Sequence, residues 1–429
     1  MKRIYEDAAY AADPGAYWSD TRPAQDWPRL DDDLSVDVAV IGGGFTGLNA
    51  ALALARQGVR VAVFEAQRPG WGASGRNGGF CCLGGAKLSD VALRRRYGAD
   101  DAGLWHDAQV AAVDHVRTLL DRHAIDADTH SRGEVMLAHS PRALRRMRAG
   151  PGERLLSRRD LAEQGLGSNW HGGLWSPVGF ALNPQKYHDG LAGAAILAGA
   201  QLFAHSPVTG LHRDGAWTLR VGAQSVRADT VILATNGYSS EDLPDWLSGR
   251  YLPVQSSVIV TRPLTAQEQQ AQGWWSHQMA YDSRFLLHYF RLMPDGRFLF
   301  GMRGGLDASA RARQAIKAEI RRDFARLFPA WADVEITHDW DGLVCLMRGL
   351  VPFVGQVPGH AGLYAAMGFH GNGVAMGSYA GAHIAAQITG RAAGPAPAFL
   401  RQPPARFPLG RFRRVLLRPA YTAASAFDL

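Results

Sequence analysis

Residues 36–66 read VDVAVIGGGFTGLNAALALARQGVRVAVFEA, two apolar runs joined by a glycine turn and a helical pattern. The β-branched run VDVAVI (36–41) is typical of a strand that is buried on both faces. Apolar residues then recur at helical spacing from Leu48 until Gly58, which supplies a helix stop. A second apolar run, VRVAVFEA (59–66), predicts another buried strand. The order strand, glycine turn, helix and strand predicts a βαβ unit.

Three glycines between the first strand and the helix, Gly42, Gly44 and Gly47, form a GxGxxG pattern. The first permits a tight turn, the second lets a diphosphate approach the backbone, and the third lets helix and strand pack closely. The helix N-terminus then offers amides and a positive dipole end to the diphosphate. Glu65 ends the second strand, near the offset at which an acid accepts hydrogen bonds from an adenosine ribose. The sequence therefore predicts a dinucleotide site.

A second glycine-rich loop, RPGWGASGRNGGF (68–80), follows the second strand almost directly. Its glycines exceed what a turn needs, and one explanation is a flexible lid loop. The other explanation is a second cradle for an extended cofactor such as FAD. In that arrangement Gly72, Ala73 and Ser74 hold the phosphate or ribityl chain. The glycine pair 78–79 then lets backbone reach the edge of the flavin.

The composition describes a large globular chain of 429 residues, 47% hydrophobic and 20% charged, enough for two domains or one large discontinuous domain. The net charge of +7 comes mostly from arginines scattered among acids, which indicates a solvated surface and argues against nucleic-acid binding. The basic-apolar stretch GRFRRVLLRPAY (410–421) is interpreted as a surface tail. The chain starts without an apolar signal core, and glycines interrupt its apolar region 36–55. We therefore predict a cytoplasmic protein without a transmembrane segment.

Three cysteines, Cys81, Cys82 and Cys345, cannot build a disulfide framework and fit a reducing compartment. The adjacent Cys81 and Cys82 are interpreted as two small buried hydrophobic residues, with a redox-active pair as the alternative. The histidines show no metal-ligand spacing, and neither a P-loop nor a GxSxG motif occurs in the sequence. We therefore predict no metal site.

Segments with the pattern of a nucleotide-binding fold recur along the chain, and other segments are inserted between them. Alternating runs between 251 and 305 predict a β-rich unit. We predict an α/β fold: a Rossmann-like FAD-binding domain (GR2-type, discontinuous) and a β-sheet-rich α+β substrate domain. The predicted boundaries are 1–35 for an N-terminal extension, 36–90, 186–245 and 336–393 for the FAD-binding domain, 91–185 and 246–335 for the substrate domain, and 394–429 for a C-terminal tail.

Residues 36–80 resemble the FAD-dependent D-amino-acid-oxidase-like superfamily, and GWGASGRNGG (70–79) resembles its gamma-glutamylputrescine oxidase branch. The resemblance implies a two-domain flavoprotein in which a large sheet covers the flavin and a substrate C–H bond is oxidised by hydride transfer to flavin N5. Four further stretches support it in the order of the family: HGGLWSPVGFALNPQKYHDGLA (171–192), VILATNGY (231–238), YFRLMPDGRFLFGMR (289–303) and GFHGNGVAMGSYAG (368–381).

The resemblance also implies which residues contact FAD, from the ADP half to the ring system. A helix N-terminus behind the loop 371–373 would stabilise negative charge on the reduced flavin. The expected cofactor contacts are Gly42, Gly44, Phe45, Thr46, Gly47, Glu65, Ala66, Gly72, Ala73, Ser74, Arg76, Asn77, Gly78, Gly79, Val208, Ala234, Thr235, Gly342, Gly368, His370, Gly371, Asn372, Gly373 and Val374.

Several positions depart from the family pattern. The C-terminal loop reads GFHGNG (368–373) where relatives often have glycine-serine-glycine-histidine, so His370 is either a catalytic neighbour of the flavin or a hydrogen-bonded structural residue. No lysine lies in 298–303, where sarcosine-oxidase-like relatives carry an oxygen-activating lysine. Cys345 is out of register with the cysteine that attaches FAD in some relatives. We therefore predict non-covalent FAD and leave the electron acceptor open between oxygen and a carrier.

The strand expected over the flavin face carries Tyr289, Phe290 and Arg291. Because side chains alternate along a strand, Tyr289 and Arg291 share one face and Phe290 belongs to the core. An aromatic wall and a cation could hold the apolar and carboxylate ends of a bound amine. Arg76 and Arg303 are rival carboxylate anchors, with a surface or structural role as the alternative for each. The catalytic candidates are Tyr289, Arg291 and His370.

We expect an FAD-dependent oxidoreductase that oxidises the C–N bond of a small amine or amino acid to an imine. Water then hydrolyses the imine to an aldehyde or keto acid, and oxygen is reduced to hydrogen peroxide. One alternative is a dehydrogenase of the same fold that passes electrons to a carrier or quinone. Two further alternatives are a flavin hydroxylase reduced by NAD(P)H and a flavin-binding partner subunit without its own activity.

Overall fold

The computed structural model of the chain describes residues 1–11, 15–167 and 169–427. Two eight-stranded sheets dominate it, and a short antiparallel pair joins Phe80–Cys82 to Gly179–Ala181. No helix within these ranges has the length and apolarity needed to cross a membrane. The α-helices are Ala8–Ala11, Phe45–Ala55, Asp90–Tyr97, Ala99–Arg122, Pro141–Arg146, Arg158–Glu163, Pro184–Leu197, Ala266–Gln272, Ala310–Leu327, Ala375–Thr389 and Leu417–Phe427.

The first sheet is built around Leu34–Ile41, which pairs in parallel with Gln224–Leu233 on one side and Val61–Phe64 on the other. All four residues of Val61–Phe64 are buried, as predicted for a strand covered on both faces. These pairings confirm the Rossmann-like unit. The strand order is Phe353–Gln356, Leu363–Met367, Gln224–Leu233, Leu34–Ile41, Val61–Phe64 and Gln201–Phe203, and Val208–Asp214 and Ala216–Val221 extend from Gln224–Leu233 as an antiparallel meander.

The second sheet is mostly antiparallel and confirms the β-rich substrate unit. Ile336–Met347 pairs along most of its length with Tyr251–Pro263, so residues 336–347 belong to this sheet. The predicted FAD-binding segment 336–393 therefore includes a strand of the second sheet, and Phe353–Gln356 is its first strand in the first sheet. The strand order is Ile336–Met347, Tyr251–Pro263, Arg297–Arg303, His288–Leu292, Met279–Asp282, Glu134–Leu137, Gly173–Ser176 and Arg154–Leu156.

The long helix Ala99–Arg122 packs on the nucleotide-binding half, although residues 91–185 were predicted to form part of the substrate domain. Its Trp105 lies in the same apolar core as Leu48 of the helix that follows the glycine turn. Leu104 of this helix is 40% exposed, while the neighbouring Trp105 is buried. The buried side chains of the helix lie in this same core: Trp105, Ala108, Ala112, Val113, Val116, Leu119 and Leu120.

The C-terminal segment is anchored to the body rather than lying free as a surface tail. Arg413 is fully buried and forms a two-pronged ion pair with Glu241, at 2.5 and 3.1 Å. It also donates a hydrogen bond to the carbonyl oxygen of Tyr251 at 2.7 Å. Leu417 packs against Leu252 at the edge of the second sheet. A buried, fully paired arginine of this kind holds a segment in place.

Candidate active site

A cavity of about 400 Å³ is lined by residues from both sheets. We call the part formed by residues 42–46, 64–67 and 208 the nucleotide end. The part formed by Lys87, Glu134, Tyr281, Tyr289 and Arg303 is the substrate end. The predicted cofactor contacts that line the cavity are Gly42, Gly44, Phe45, Thr46, Glu65, Ala66, Gly72, Ala73, Ser74, Arg76, Asn77, Gly78, Val208, Ala234, Thr235, Gly342, Gly371, Asn372, Gly373 and Val374.

The glycine turn at the nucleotide end has the conformation that the GxGxxG pattern requires. Gly42 has φ +106°, and a Cβ there would lie 2.9 Å from the carbonyl oxygen of Ala234. A Cβ on Gly47 would lie 2.0 Å from the carbonyl oxygen of Gly42. Gly47 therefore does not line the cavity but lets the helix pack against the turn, which is the role predicted for the third glycine.

Glu65 lies directly after Val61–Phe64 and faces the nucleotide end. Its carboxylate accepts hydrogen bonds from the backbone N–H groups of Gly43 and Gln67, each at 3.0 Å. Burial raises the pKa of this carboxyl, and the backbone donors oppose that rise. The acid is therefore held in a fixed position at the end of the second strand.

The second glycine-rich loop contacts the first one directly. The Oγ atom of Ser74 accepts a hydrogen bond from the backbone N–H of Phe45, at 2.9 Å, where the helix begins. A Cβ on Gly44 would lie 2.8 Å from this Oγ atom, so the close approach of the loops requires glycine there. Gly79 has φ +74° and supports the loop from outside the cavity, because its Cβ would meet the carbonyl oxygen of Leu182 at 2.0 Å.

Arg76 lies against the indole of Trp71, with its Cζ 4.1 Å from the ring centroid. It donates hydrogen bonds to the carbonyl oxygens of Trp71 at 2.6 Å and Asp341 at 3.2 Å. Its remaining Nη2 atom is buried and has no hydrogen-bond partner among the residues that the structure describes. Arg76 therefore lines the cavity with one N–H group that is not hydrogen-bonded. This arrangement suits a contact to the cofactor better than binding of a substrate carboxylate.

The third loop brings Gly371, Asn372 and Gly373 to the cavity ahead of the helix Ala375–Thr389. The Nδ2 atom of Asn372 donates to the carbonyl oxygen of Leu83 at 3.0 Å. This bond ties the third loop to the segment that follows the second glycine-rich loop. Gly368 lies outside the cavity wall, with φ +82°, where a side chain would collide with Met347.

His370 does not line the cavity, which corrects its prediction as a catalytic and cofactor-binding residue. Its Nδ1 atom donates to the carbonyl oxygen of Gly85 at 2.8 Å, and its Nε2 atom accepts from the N–H of Met347 at 3.1 Å. Since a carbonyl can only accept and an N–H can only donate, the ring is neutral in this arrangement. Burial lowers its pKa to about 4. Its role is to hold the turn before Gly371.

Tyr289 and Arg291 share one face of their strand, but they occupy different environments. Tyr289 lines the cavity, and its hydroxyl lies 3.1 Å from the Oγ atom of Ser256. Its ring covers Gly301 of the neighbouring strand, where an added Cβ would lie 2.1 Å away. A Cβ on Gly78 would come within 2.7 Å of the same ring. Tyr289 therefore has the position expected of an aromatic wall.

Arg291 is buried outside the cavity, which corrects its prediction as a substrate anchor. It donates to the carbonyl oxygen of Leu182 at 2.8 Å and contacts the Nε2 atom of His130 at 3.2 Å. Its Cζ atom lies 5.5 Å from the ring of Trp18 and 5.8 Å from that of Phe80. Burial lowers the pKa of this guanidinium to about 9. These neighbours separate it from the cavity.

Arg303 lines the substrate end, and no hydrogen bond or ion pair to it is formed among the described residues. Its guanidinium lies over Gly371, where an added Cβ would be 2.5 Å from Nη2. Burial lowers its pKa. A guanidinium without an acidic partner has the chemistry to bind an anion. Arg303, a rival candidate in the sequence, lines the substrate end, whereas Arg291 does not line the cavity.

Two titratable residues of the substrate end have no motif in the sequence. Lys87 lines the cavity, and its side chain is exposed there. Partial loss of surrounding water, together with the charge of Arg303, lowers its pKa to about 7. Glu134 is buried on the strand Glu134–Leu137, and burial raises its pKa to about 7. They come from segments far apart in the chain, and only the folding of the second sheet over the loop brings them together.

The cysteines are free and buried, as interpreted from the sequence. Cys82 lines the substrate end, and its Sγ atom accepts a hydrogen bond from Asn372 at 3.3 Å. Burial raises the pKa of Cys81 and Cys82, so both are protonated thiols. Within the described ranges, no group of histidines, cysteines and acids has the arrangement of a metal site.

A family model described as FAD dependent oxidoreductase matches residues 37–387. The chain is 30% identical over 396 residues to gamma-glutamylputrescine oxidoreductase of Escherichia coli (strain K12), covering 90% of this chain and 91% of the relative. It is 32% identical over 383 residues to the probable oxidoreductase OrdL of Rhizobium meliloti (strain 1021), covering 86% and 87%. A crystal structure of glycine oxidase from Geobacillus kaustophilus has a TM-score of 0.70 at 20% identity, covering 86% of this chain and 98% of that one.

The chain therefore belongs to the FAD-dependent oxidoreductase family, as an enzyme of the D-amino-acid-oxidase type. The superfamily and the branch that the sequence resembled are confirmed. The site fits the cofactor on its own evidence: a helix N-terminus and a fixed acid at the nucleotide end, and an unpaired donor on Arg76 further along. FAD would be held by these groups and by the loop 371–373.

Proposed function

We propose that the enzyme oxidises the C–N bond of a small amine or amino acid to an imine, which water hydrolyses to an aldehyde or keto acid. The observation that carries this proposal is the pairing of Arg303 and Lys87 at the substrate end. Arg303 has no partner among the described residues, and Lys87 has a pKa near neutrality. The name of the relative gamma-glutamylputrescine oxidoreductase supports an amine as the substrate class.

The bound FAD supplies the acceptor for the hydride that leaves the substrate carbon. The residues of this chain orient the substrate and manage its proton. Arg303 would bind a substrate carboxylate through two parallel N–H···O bonds, and the ring of Tyr289 would pack on the apolar part. These contacts exclude water from the reacting carbon.

Lys87 would take the proton that the substrate amine must lose before oxidation. An alkylammonium holds no free electron pair on nitrogen, so it cannot form the C=N bond until it is deprotonated. A lysine with a pKa of about 7 is largely neutral at pH 8, and its Nζ atom can then accept this proton. Glu134, across the substrate end, would accept a hydrogen bond from the amine.

For the electron acceptor, we propose oxygen, with hydrogen peroxide as the product. A specific observation favours a second candidate, a dehydrogenase that delivers electrons to a carrier or quinone. Leu409, Phe412 and Val415 are each more than half exposed on the anchored C-terminal segment, beside exposed Arg411. An exposed apolar patch with basic neighbours is suited to docking such an acceptor.

We also propose that FAD is bound non-covalently and that the enzyme is cytoplasmic. All three cysteines are protonated by burial, including Cys345, whose pKa is raised to about 12. A thiol in this state is a poor nucleophile toward the flavin. Precipitation with acid should therefore release all of the flavin into the supernatant, and flavin that stays with the protein would refute non-covalent binding.

The test of the proposed function is anaerobic mixing of the flavin-loaded enzyme with candidate reductants while the flavin absorbance is followed. The panel contains gamma-glutamylputrescine, N-methyl and cyclic amino acids, glycine, and NAD(P)H. Bleaching by an amine supports the proposal, and rapid recolouring on admission of air, with peroxide formed, identifies an oxidase. Slow recolouring in air, with fast recolouring by a quinone, identifies the dehydrogenase. Bleaching by NAD(P)H alone contradicts the proposal.

A further inference from the structure

The first residues of the chain reach the cavity, although the sequence assigned them only to an N-terminal extension. We call residues 1–11 and 15–27 the N-terminal strap. Met1, Arg3 and Tyr10 of the strap line the same cavity as the glycine turn. Gln67, two residues after Glu65, donates a hydrogen bond from Nε2 to the carbonyl oxygen of Tyr10 at 3.4 Å. The strap therefore meets the cavity at its nucleotide end.

The start of the strap is fastened to the neighbouring loop. The carbonyl oxygen of Lys2 accepts hydrogen bonds from the N–H of Glu241 at 2.7 Å and from the Oγ atom of Ser240 at 3.2 Å. Ser240 lines the cavity as well. Arg3, the next residue, is thus held beside the cavity by backbone contacts on one side and by Tyr10 on the other.

A second fastening lies a few residues further along. The carboxylate of Glu6 accepts from the N–H of Ala308 at 2.8 Å and forms an ion pair with Arg414 at 3.0 Å. The guanidinium of Arg414 also lies 3.9 Å from the ring centroid of Tyr5. The anchored C-terminal segment therefore contacts the strap directly and helps to hold it against the rest of the protein.

The later part of the strap supports both glycine-rich loops from behind. The indole Nε1 of Trp18 donates to the carbonyl oxygen of Asn77 at 2.9 Å. The ring of Trp27 packs so closely on Gly43 that a Cβ there would lie 2.8 Å from it. Trp27 also stacks on His188, whose Nε2 donates to the carbonyl oxygen of Gly43 at 2.7 Å. The strap is therefore built into the cofactor site along its length.

Arg3 is the strap residue whose chemistry points to a ligand. Its Cζ atom lies 4.1 Å from the ring centroid of Tyr10, and no acidic residue pairs with it within the described ranges. A guanidinium over an aromatic ring, at the wall of a dinucleotide site, offers a flat face to a purine and a cation to a phosphate. Glu65, the acid expected at the ribose, lies in the same part of the cavity.

We propose that the N-terminal strap is part of the FAD site and that Arg3, supported by Tyr10, binds the adenosine half of the cofactor. This inference concerns cofactor binding and not the oxidised substrate. The inference is tested by FAD binding alone. Its outcome is therefore independent of whether the enzyme oxidises an amine.

The experiment compares FAD binding by the full-length apoprotein in three forms: wild type, Arg3→Ala and Arg29→Ala. Arg29 is an exposed arginine just beyond the strap and serves as the matched control. We expect Arg3→Ala to raise the Kd for FAD about tenfold, the size of one base-stacking contact. The visible spectrum of the bound flavin should not change, because the ring system lies at the other end. Arg29→Ala should bind FAD like wild type.

Two results would overturn the inference. The first is a Kd for FAD that is the same in Arg3→Ala and wild type. The second is weaker binding accompanied by a changed visible spectrum of the flavin or by a lower Tm of the apoprotein. Either change would mean that Arg3 supports the fold or the ring site, since a contact confined to the adenosine half alters neither.

Discussion

The two ends of the cavity differ in the groups that form them: backbone at one end and side chains at the other. The nucleotide end consists of backbone: Gly42 and Gly44 make room, and the helix beginning at Phe45 offers its amides. The substrate end consists of side chains, with Lys87 and Arg303 contributed by a loop and by a strand of the second sheet. One end therefore depends on conformation, and the other depends on charge.

This difference between the two ends indicates where substitutions can alter function without disrupting the fold. A backbone site tolerates few substitutions, because an added Cβ collides with a neighbouring main chain at Gly42 and with the Ser74 side chain at Gly44. A side-chain site can be altered one group at a time, because each group sits on a strand or loop whose fold does not depend on it. Substitutions at the two ends should therefore fail in different ways.

The largest effect is expected at the turn. In Gly42→Ala the new Cβ meets the carbonyl oxygen of Ala234 in a backbone region that suits glycine, with a cost of about 1–3 kcal/mol, and displaces the amides from the phosphates. FAD affinity should fall roughly 100-fold. Equilibrium dialysis of FAD measures this. Gly193→Ala, a helical glycine with open space around it, is the control and should bind FAD normally. Equal affinity in Gly42→Ala would show that the turn does not form the cofactor site.

The second effect separates two arginines on neighbouring strands. Arg303→Met should raise the KM of carboxylate-bearing amines roughly 10–100-fold, about 1.4–3 kcal/mol, and should leave FAD content unchanged. Arg291→Met should leave KM unchanged but lower the Tm, because the carbonyl of Leu182 loses its buried donor. Steady-state kinetics and thermal unfolding distinguish the two. A raised KM in Arg291→Met alone would show that Arg291, and not Arg303, binds the substrate carboxylate.

The third effect concerns two buried histidines whose pKa values are lowered, one at each of two cavity loops. His188 holds the glycine turn and His370 holds the third loop, and burial lowers the pKa of each to about 4. Since the unfolded state binds protons below its ordinary pKa of about 6.5, stability falls as the pH falls from 6.5 toward 4, by roughly 2 kcal/mol per residue at pH 5. His288, whose pKa is raised by its hydrogen bonds to Asp282 and Asp323 against the effect of burial, acts in the opposite direction. The Tm and the FAD content should both drop between pH 7 and pH 5. A constant Tm over this range would contradict the assignment.

The smallest effect concerns Glu134, whose charge raises the pKa of Lys87. In Glu134→Gln the pKa of Lys87 should fall further, so the pH at which flavin reduction accelerates should shift downward by part of a unit. The rate at pH 8 should change only a few-fold, since the amide still accepts a hydrogen bond. Stopped-flow reduction at a series of pH values tests this, and an unshifted pH profile would show that the charge of Glu134 does not act on Lys87.

The nucleotide end could be predicted from the sequence because its physical requirement is itself a sequence pattern. Close backbone contacts at Gly42, Gly44 and Gly47 leave glycines at fixed spacing, and Glu65 follows a recognisable strand. The sequence did not show which sheet residues 336–347 join. A long strand with alternating side chains has the same pattern whichever sheet it pairs with.

The substrate end could be predicted only in part. Strand alternation placed Tyr289 and Arg291 on one face, but it could not reveal that Trp18 and Phe80 cover the second of them. Lys87 and Glu134 belong to no motif, and only the packing of a loop against the second sheet brings them together. Contacts between distant segments of this kind leave no local pattern.

The central claim is that the substrate end deprotonates and oxidises an amine, and the most direct measurement is anaerobic flavin reduction by that amine from pH 6 to 9. The enzymes are wild type, Lys87→Met and Lys317→Met, the last changing an exposed lysine. For wild type and Lys317→Met, the rate should rise with pH through about 7, where Lys87 loses its proton. For Lys87→Met, the rate near neutrality should be roughly 10²–10⁴-fold lower, without that rise. Reduction of Lys87→Met at the wild-type rate and with the wild-type pH profile would contradict the account.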